Sequence, residues 1–169
     1  MNEYKILFTG TMGAGKTTAI GAVSETPPIV TDVVNNDQSH TKERTTVGLD
    51  FGQFTLDNGD RIRMFGTPGQ SRFDFLWKIL STDNSRPDPL ADLRVYLEGF
   101  ADDLDIMPCA IGIGRLDDHP SHSMDDYIEE LARHNRVLPV LQVDVRKKDD
   151  VILLIDTLLA QLEAGMFGE

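Results

Sequence analysis

Short apolar runs alternate with stretches of helical spacing along this chain, and the two periods divide it into elements. Residues 4–9 are a β-branched and aromatic run that reads as a strand and ends at Gly10. A helix is expected to start directly after Lys16 and to run through Val23. Residues 24–44 are polar and hold Pro27-Pro28, a long segment of the kind that usually carries function. The second half of 45–56 alternates apolar with polar, the period of a strand. Asn58-Gly59 is a hairpin signal, and 61–65 is the returning strand. Residues 72–80 are expected to be a helix. Leu90, Leu93, Leu97, Phe100 and Leu104 recur at three- and four-residue steps and predict a helix over 88–104. Strands follow at 107–113 and 137–143, with a helix between them at 124–133 whose N-cap is Ser123. Val151, Leu154, Leu158 and Leu162 define a closing helix. Alternating strands and helices predict an α/β fold, a doubly wound, mostly parallel sheet with one antiparallel edge hairpin. Ligands belong at the carboxyl ends of its strands.

The first strand runs into Gly10-Thr11-Met12-Gly13-Ala14-Gly15-Lys16-Thr17, which reads G-x-x-x-x-G-K-T. A strand, a glycine loop and a helix N-terminus turn successive backbone N–H groups and the helix dipole onto one point, a site for phosphate. Lys16 is expected to reach the β- and γ-phosphates, and the Thr17 hydroxyl to hold Mg²⁺. The pattern makes the chain a P-loop NTPase, with Gly10, Met12, Gly13, Ala14, Gly15, Lys16, Thr17 and Thr18 around the phosphates.

Composition narrows the partners. The 169 residues fit one domain. A formal charge of −12 argues against a nucleic-acid partner, which needs a basic face, and against a polybasic membrane contact. The one cysteine, Cys109, sits in an apolar run and excludes a disulfide framework. The four histidines show no metal-binding spacing. No signal or membrane-spanning pattern is seen, so a cytoplasmic protein without a direct membrane anchor is expected.

The glycine loop, then Thr46, then a hairpin, then Phe65-Gly66-Thr67-Pro68-Gly69-Gln70 resembles the Ras-like small GTPases. The likeness is greatest to the bacterial branch with an F-G-T-P-G-Q second switch: the gliding-motility polarity (MglA-type) GTPases and those of the conservon operons. It covers essentially the whole chain as a single G domain and is strongest over 5–80. The resemblance implies Thr46 as a second Mg²⁺ ligand that senses the γ-phosphate, Gly69 as a backbone donor to that phosphate, and Gln70 as the residue that orients the attacking water. It implies Gln70 and Lys16 as the catalytic pair. It places Gly114-Arg115-Leu116-Asp117 where the family has N-K-x-D, so that Asp117 accepts from the guanine N1–H and N2 amine, Arg115 stacks on the base and the Val145 N–H faces the guanine O6.

The chain departs from the family at three positions. Gly66 stands where an aspartate supports Mg²⁺, Met12 where the loop usually has glycine, and Gly114 where asparagine reads the base. A fourth departure is larger. The family has an apolar central strand after the second-switch helix, whereas 80–87 reads as a loop; about ten residues of that strand are therefore expected to be absent near 81–82.

The resemblance implies a GTP-binding and GTP-hydrolysing switch in bacterial signalling or cell polarity, slow without an activating partner of the roadblock type. A pseudo-GTPase scaffold that holds nucleotide without useful turnover is the alternative. A P-loop kinase or ATPase is a third reading, but no arginine-rich lid is visible.

Overall fold

The computed structural model of the chain describes residues 1–11, 13–29, 50–66 and 77–165. Six strands form one sheet in the order β2-β3-β1-β4-β5-β6. They are β1 (Glu3–Thr9), β2 (Asp50–Thr55), β3 (Arg61–Gly66), β4 (Trp77–Asp83), β5 (Cys109–Gly114) and β6 (Val140–Gln142). The β2–β3 pair is antiparallel and lies at the edge; every other pairing is parallel. The predicted hairpin is present, with the Gly59 N–H donating to the Leu56 carbonyl at 2.8 Å and the Asp60 N–H to the Asn58 side chain at 2.9 Å. Among the described residues the α-helices are α1 (Lys16–Val23), α2 (Pro89–Gly99), α3 (Met124–Arg133) and α4 (Lys148–Glu163).

Each face of the sheet is covered by two helices, as a parallel sheet requires. On one face α1 and α4 bury Ile20, Val23, Val151, Leu154 and Leu158 against Ile6, Phe8, Met64 and Ile79. On the other, α2 and α3 bury Leu93, Leu97, Tyr127 and Leu131 against Leu80, Ile111 and Ile113. The helix starts follow local rules. Asp88 accepts from the Ala91 N–H and precedes Pro89 at the first position of α2. Ser123 and Asp126 form a reciprocal capping box on α3, whose span is the predicted one.

The central strand corrects two expectations. Residues 72–80 are not one helix, because Trp77–Asp83 is β4, and no further residues are needed near 81–82 to fill the sheet. β4 pairs with β1 from Ile6↔Trp77 to Thr9↔Leu80 and with β5 from Lys78↔Cys109 to Asp83↔Gly114. Its run of Ser81, Thr82 and Asp83 looks like a loop by composition, yet two ladders satisfy the backbone on both sides. Its inner polar side chains need partners as well. Lys78, only 2% exposed, donates to Asp103 at 3.0 Å and lies 5.1 Å from the centre of the Phe100 ring. Asp103 opens the short 3-10 turn Asp103–Asp105, separate from α2, which ends at Gly99, short of the expected 104. Beyond β4 the Asn84 N–H continues the ladder to the Gly114 carbonyl at 3.0 Å.

Two measurements follow from this packing. Cys109 is buried, and burial raises its thiol to about 12, against a smaller opposing pull from Lys78. At pH 8 the folded protein should therefore leave a thiol reagent unreacted, and one equivalent should react once denaturant is added. Lys78→Ala strands Asp103 beside the core and should cost about 3–5 kcal/mol in urea denaturation, toward the lower end because Asp103 is partly solvated. Replacing both partners, Lys78→Met with Asp103→Leu, should cost far less.

Candidate functional site

The carboxyl ends of β1, β4, β5 and β6 open into one cavity of about 740 Å³. Three segments distant in sequence form its walls: Gly13, Ala14, Gly15 and Thr18 of the glycine loop and α1, residues 114–119 after β5, and residues 142–147 after β6. Of the residues singled out in the sequence, the cavity brings together Gly13, Ala14, Gly15, Thr18, Arg115, Asp117 and Val145. Met12, Thr46, Gly69 and Gln70 lie outside the described residues.

The glycine loop owes its path to a close approach. Gly10 has φ of +143° and passes so near β4 that an added Cβ would fall on the Ser81 carbonyl oxygen. The loop then turns into α1 with Ala14 N–H donating to the Thr11 carbonyl at 3.1 Å. Lys16 lies across this loop, its ammonium donating to the carbonyls of Gly10 at 2.7 Å and Thr11 at 2.8 Å. Burial pushes that ammonium below its ordinary range, while the Asp50 carboxylate pulls it back. A phosphate at the loop would offer Lys16 a stronger acceptor than either carbonyl. Thr17 points the other way, and its hydroxyl donates to Asp50 on β2.

The far end of the cavity is assembled around Asp117. Its carboxylate is exposed and is steadied by the Gln142 amide, which donates to it at 2.7 Å. Arg115 sits in the left-handed region at φ 58°, with its guanidinium 3.8 Å from Asp83. Gly114 leaves room beside the base loop, since a Cβ there would meet only the Thr82 and Val143 carbonyls at 3.6 and 3.9 Å. In the third wall, Asp144 accepts from Arg146 through side chain and backbone, which holds its carboxyl down at about 2. The Gly15 and Val145 segments touch, as a Cβ on Gly15 would come 2.7 Å from a Val145 methyl.

Sequence reasoning missed Asn84, the residue that fixes the 114–122 segment. It is 1% exposed. Its amide donates to the His119 carbonyl, and to the His122 carbonyl at 3.2 Å. Its carbonyl oxygen accepts from the Tyr127 hydroxyl at 2.6 Å. Burial, then the charges of Asp83, Asp126 and Asp92, raise that phenol, so it stays a donor at any ordinary pH. Gln142 and Asp50 were missed too. The alternation that marked β2 contained a signal for Asp50, because it sets Asp50, Gly52 and Phe54 on the buried side.

No protein-family profile matches the chain. No curated protein matches it. Among solved structures it is similar to the G domain of the FeoB iron transporter of T. maritima, with a TM-score of 0.63, 17% identity, and 95% of this chain and 99% of that one covered. The likeness is one of fold: an α/β sheet with helices on both faces, arranged as in a P-loop GTPase G domain. Among the described residues no helix is long and apolar enough to cross a membrane.

Tyr127→Phe should leave the buried Asn84 oxygen without a donor and lower stability by about 1–3 kcal/mol in thermal or urea unfolding. Faster amide exchange over 115–122 should accompany it, because Asn84 is the tie that holds this segment to β4.

Proposed function

We propose that the chain is a guanine-nucleotide-binding switch that hydrolyses GTP to GDP and phosphate. The observation that carries this reading is one cavity in which the glycine loop faces Asp117 across a space large enough for a nucleotide, with Val145 on the wall beside Gly15. A phosphate chain would lie on the backbone N–H groups of residues 13–17 at the head of α1, with Lys16 turning from its two loop carbonyls to the β- and γ-phosphates. The base would lie toward Asp117, a carboxylate held for a donor pair by Gln142. Guanine offers such a pair at N1 and N2, and adenine does not. Arg115 would cover the face of the base, and the Val145 N–H would reach its O6.

The oxygen donors fit Mg²⁺, a hard cation that takes few protein ligands and keeps phosphate and water for the rest. Thr17 and Thr46 are the residues that would hold it. When bound, Mg²⁺ would neutralise the charge that builds up on the β- and γ-phosphate oxygens. Gln70 would orient the attacking water, and the N–H of Gly69 would follow the γ-phosphate. Loss of that phosphate would release Thr46 and Gly69 and so change the surface offered to partners. A roadblock-type activator and a role in bacterial signalling or polarity rest on the F-G-T-P-G-Q resemblance. A scaffold that binds nucleotide without turning it over is the second reading, favoured by Met12, Gly66 and Gly114.

Calorimetric titration with GDP, a GTP analogue and ADP tests the assignment. Guanine nucleotides should bind at least tenfold more tightly than ADP, about 1.4 kcal/mol of discrimination. Gly114→Asn, whose Cβ would make only ordinary contacts, should widen that gap. Equal binding of ADP would remove Asp117 as the base reader. Steady-state phosphate release, with and without an activator, separates the switch from the scaffold.

A further inference from the structure

The switch reading leaves a chemical gap at the end of β3. A phosphate-loop site ordinarily holds its metal between the loop's Ser or Thr hydroxyl and an aspartate on a neighbouring strand. Here the strand beside the loop, β3, ends in Gly66, which has no side chain to offer. The space that side chain would fill is taken from the adjacent strand. Asp50 pairs with Gly66 in the antiparallel register, and a Cβ placed on Gly66 would lie 3.1 Å from the Asp50 Cβ and 3.2 Å from its Oδ2.

Three further observations concern Asp50 itself. It is 5% exposed, so its charge is withheld from bulk water. Its Oδ2 accepts from the Thr17 hydroxyl, which puts the carboxylate beside the side chain expected to hold Mg²⁺. Its Oδ1 is buried and has no hydrogen-bond partner among the described residues, a costly state for a carboxylate oxygen. Its charge is also felt by the Lys16 ammonium. A carboxylate whose only role was to brace α1 against β2 would gain nothing from a second oxygen left bare.

We propose that Asp50 supplies from β2 the carboxylate that organises Mg²⁺ at Thr17, doing the work for which Gly66 has no side chain. Oδ2 keeps the Thr17 proton and so turns a hydroxyl lone pair to the cation, while Oδ1 is free to accept from a metal-bound water. A side chain on Gly66 would press both on this carboxylate and on the Ile20 Cδ1, which lies 3.0 Å from the Cβ position. Asp50 acts through Thr17 and water, so it is a positioning residue. The inference rests on the nucleotide-site reading.

The test is the binding of Mn²⁺ to the GDP complex, read by electron paramagnetic resonance, beside calorimetric GDP titrations in Mg²⁺ and in EDTA. Asp50→Asn, which can still accept from Thr17, should weaken Mn²⁺ by about 10–100-fold at saturating GDP, with GDP still bound in EDTA. Unchanged Mn²⁺ affinity in a variant that binds GDP would overturn the proposal and leave the nucleotide reading standing. Absence of GDP binding in the wild type would overturn both. If Asp50→Asn does not fold, the exchange Asp50→Gly with Gly66→Asp decides instead. It moves the carboxylate across the strand pair and should keep Mn²⁺ affinity within about tenfold of wild type, at the mild end of outer-shell losses. A folded exchange variant that binds GDP but loses Mn²⁺ beyond that range would overturn the assignment.

Discussion

The pairing of β4 between β1 and β5 is the constraint on which the rest of the molecule depends. It joins the β3–β1 side of the sheet, which holds the glycine loop and Asp50, to the β5–β6 side, which holds Asp117 and Val145. It does so with a strand of unusual polarity. Lys78, Ser81, Thr82, Asp83 and the following Asn84 are all buried. A buried backbone must pair, and β4 pairs along both edges; that gain offsets the cost of a Ser81 hydroxyl left without a partner. The same strand carries the Ser81 carbonyl that only a glycine at position 10 can pass, so the loop's first residue is fixed by a neighbour far along the chain.

Electrostatics in the site divide along the same seam. On the loop side one ammonium, Lys16, and one carboxylate, Asp50, share a dry corner, each leaning on neighbours that phosphate and metal would compete for. On the Asp117 side the charges are wetter, and each is tied to a partner. Asp144 is held by Arg146, Asp117 by Gln142, and Arg115 leans toward Asp83.

Much of the fold was legible in the residues. The G-x-x-x-x-G-K-T spacing, the Asn58-Gly59 turn and the Ser123 cap are local rules, and each produced the expected element in its place. The loops after β5 and β6 were legible as well, because they follow apolar runs directly. The central strand was not. Aromatic and apolar residues at mixed spacing across 72–80 imitate a helix, and Ser81-Thr82-Asp83 imitates a loop; only partners on both sides make a strand of them. Asn84, Gln142 and the partner of Asp50 were invisible for the same reason, since each contact spans 25 to 38 positions.

The sequence by itself therefore determined the class of sheet, the phosphate loop and the segments that meet at its carboxyl edge. These are set by short-range periodicity and backbone geometry, which a single chain displays in its order of residues. The tertiary structure decided which polar residues could be buried and what they would face. Desolvation is a property of neighbours, and the neighbours of Lys78, Asn84 and Asp50 are brought to them only when the sheet closes.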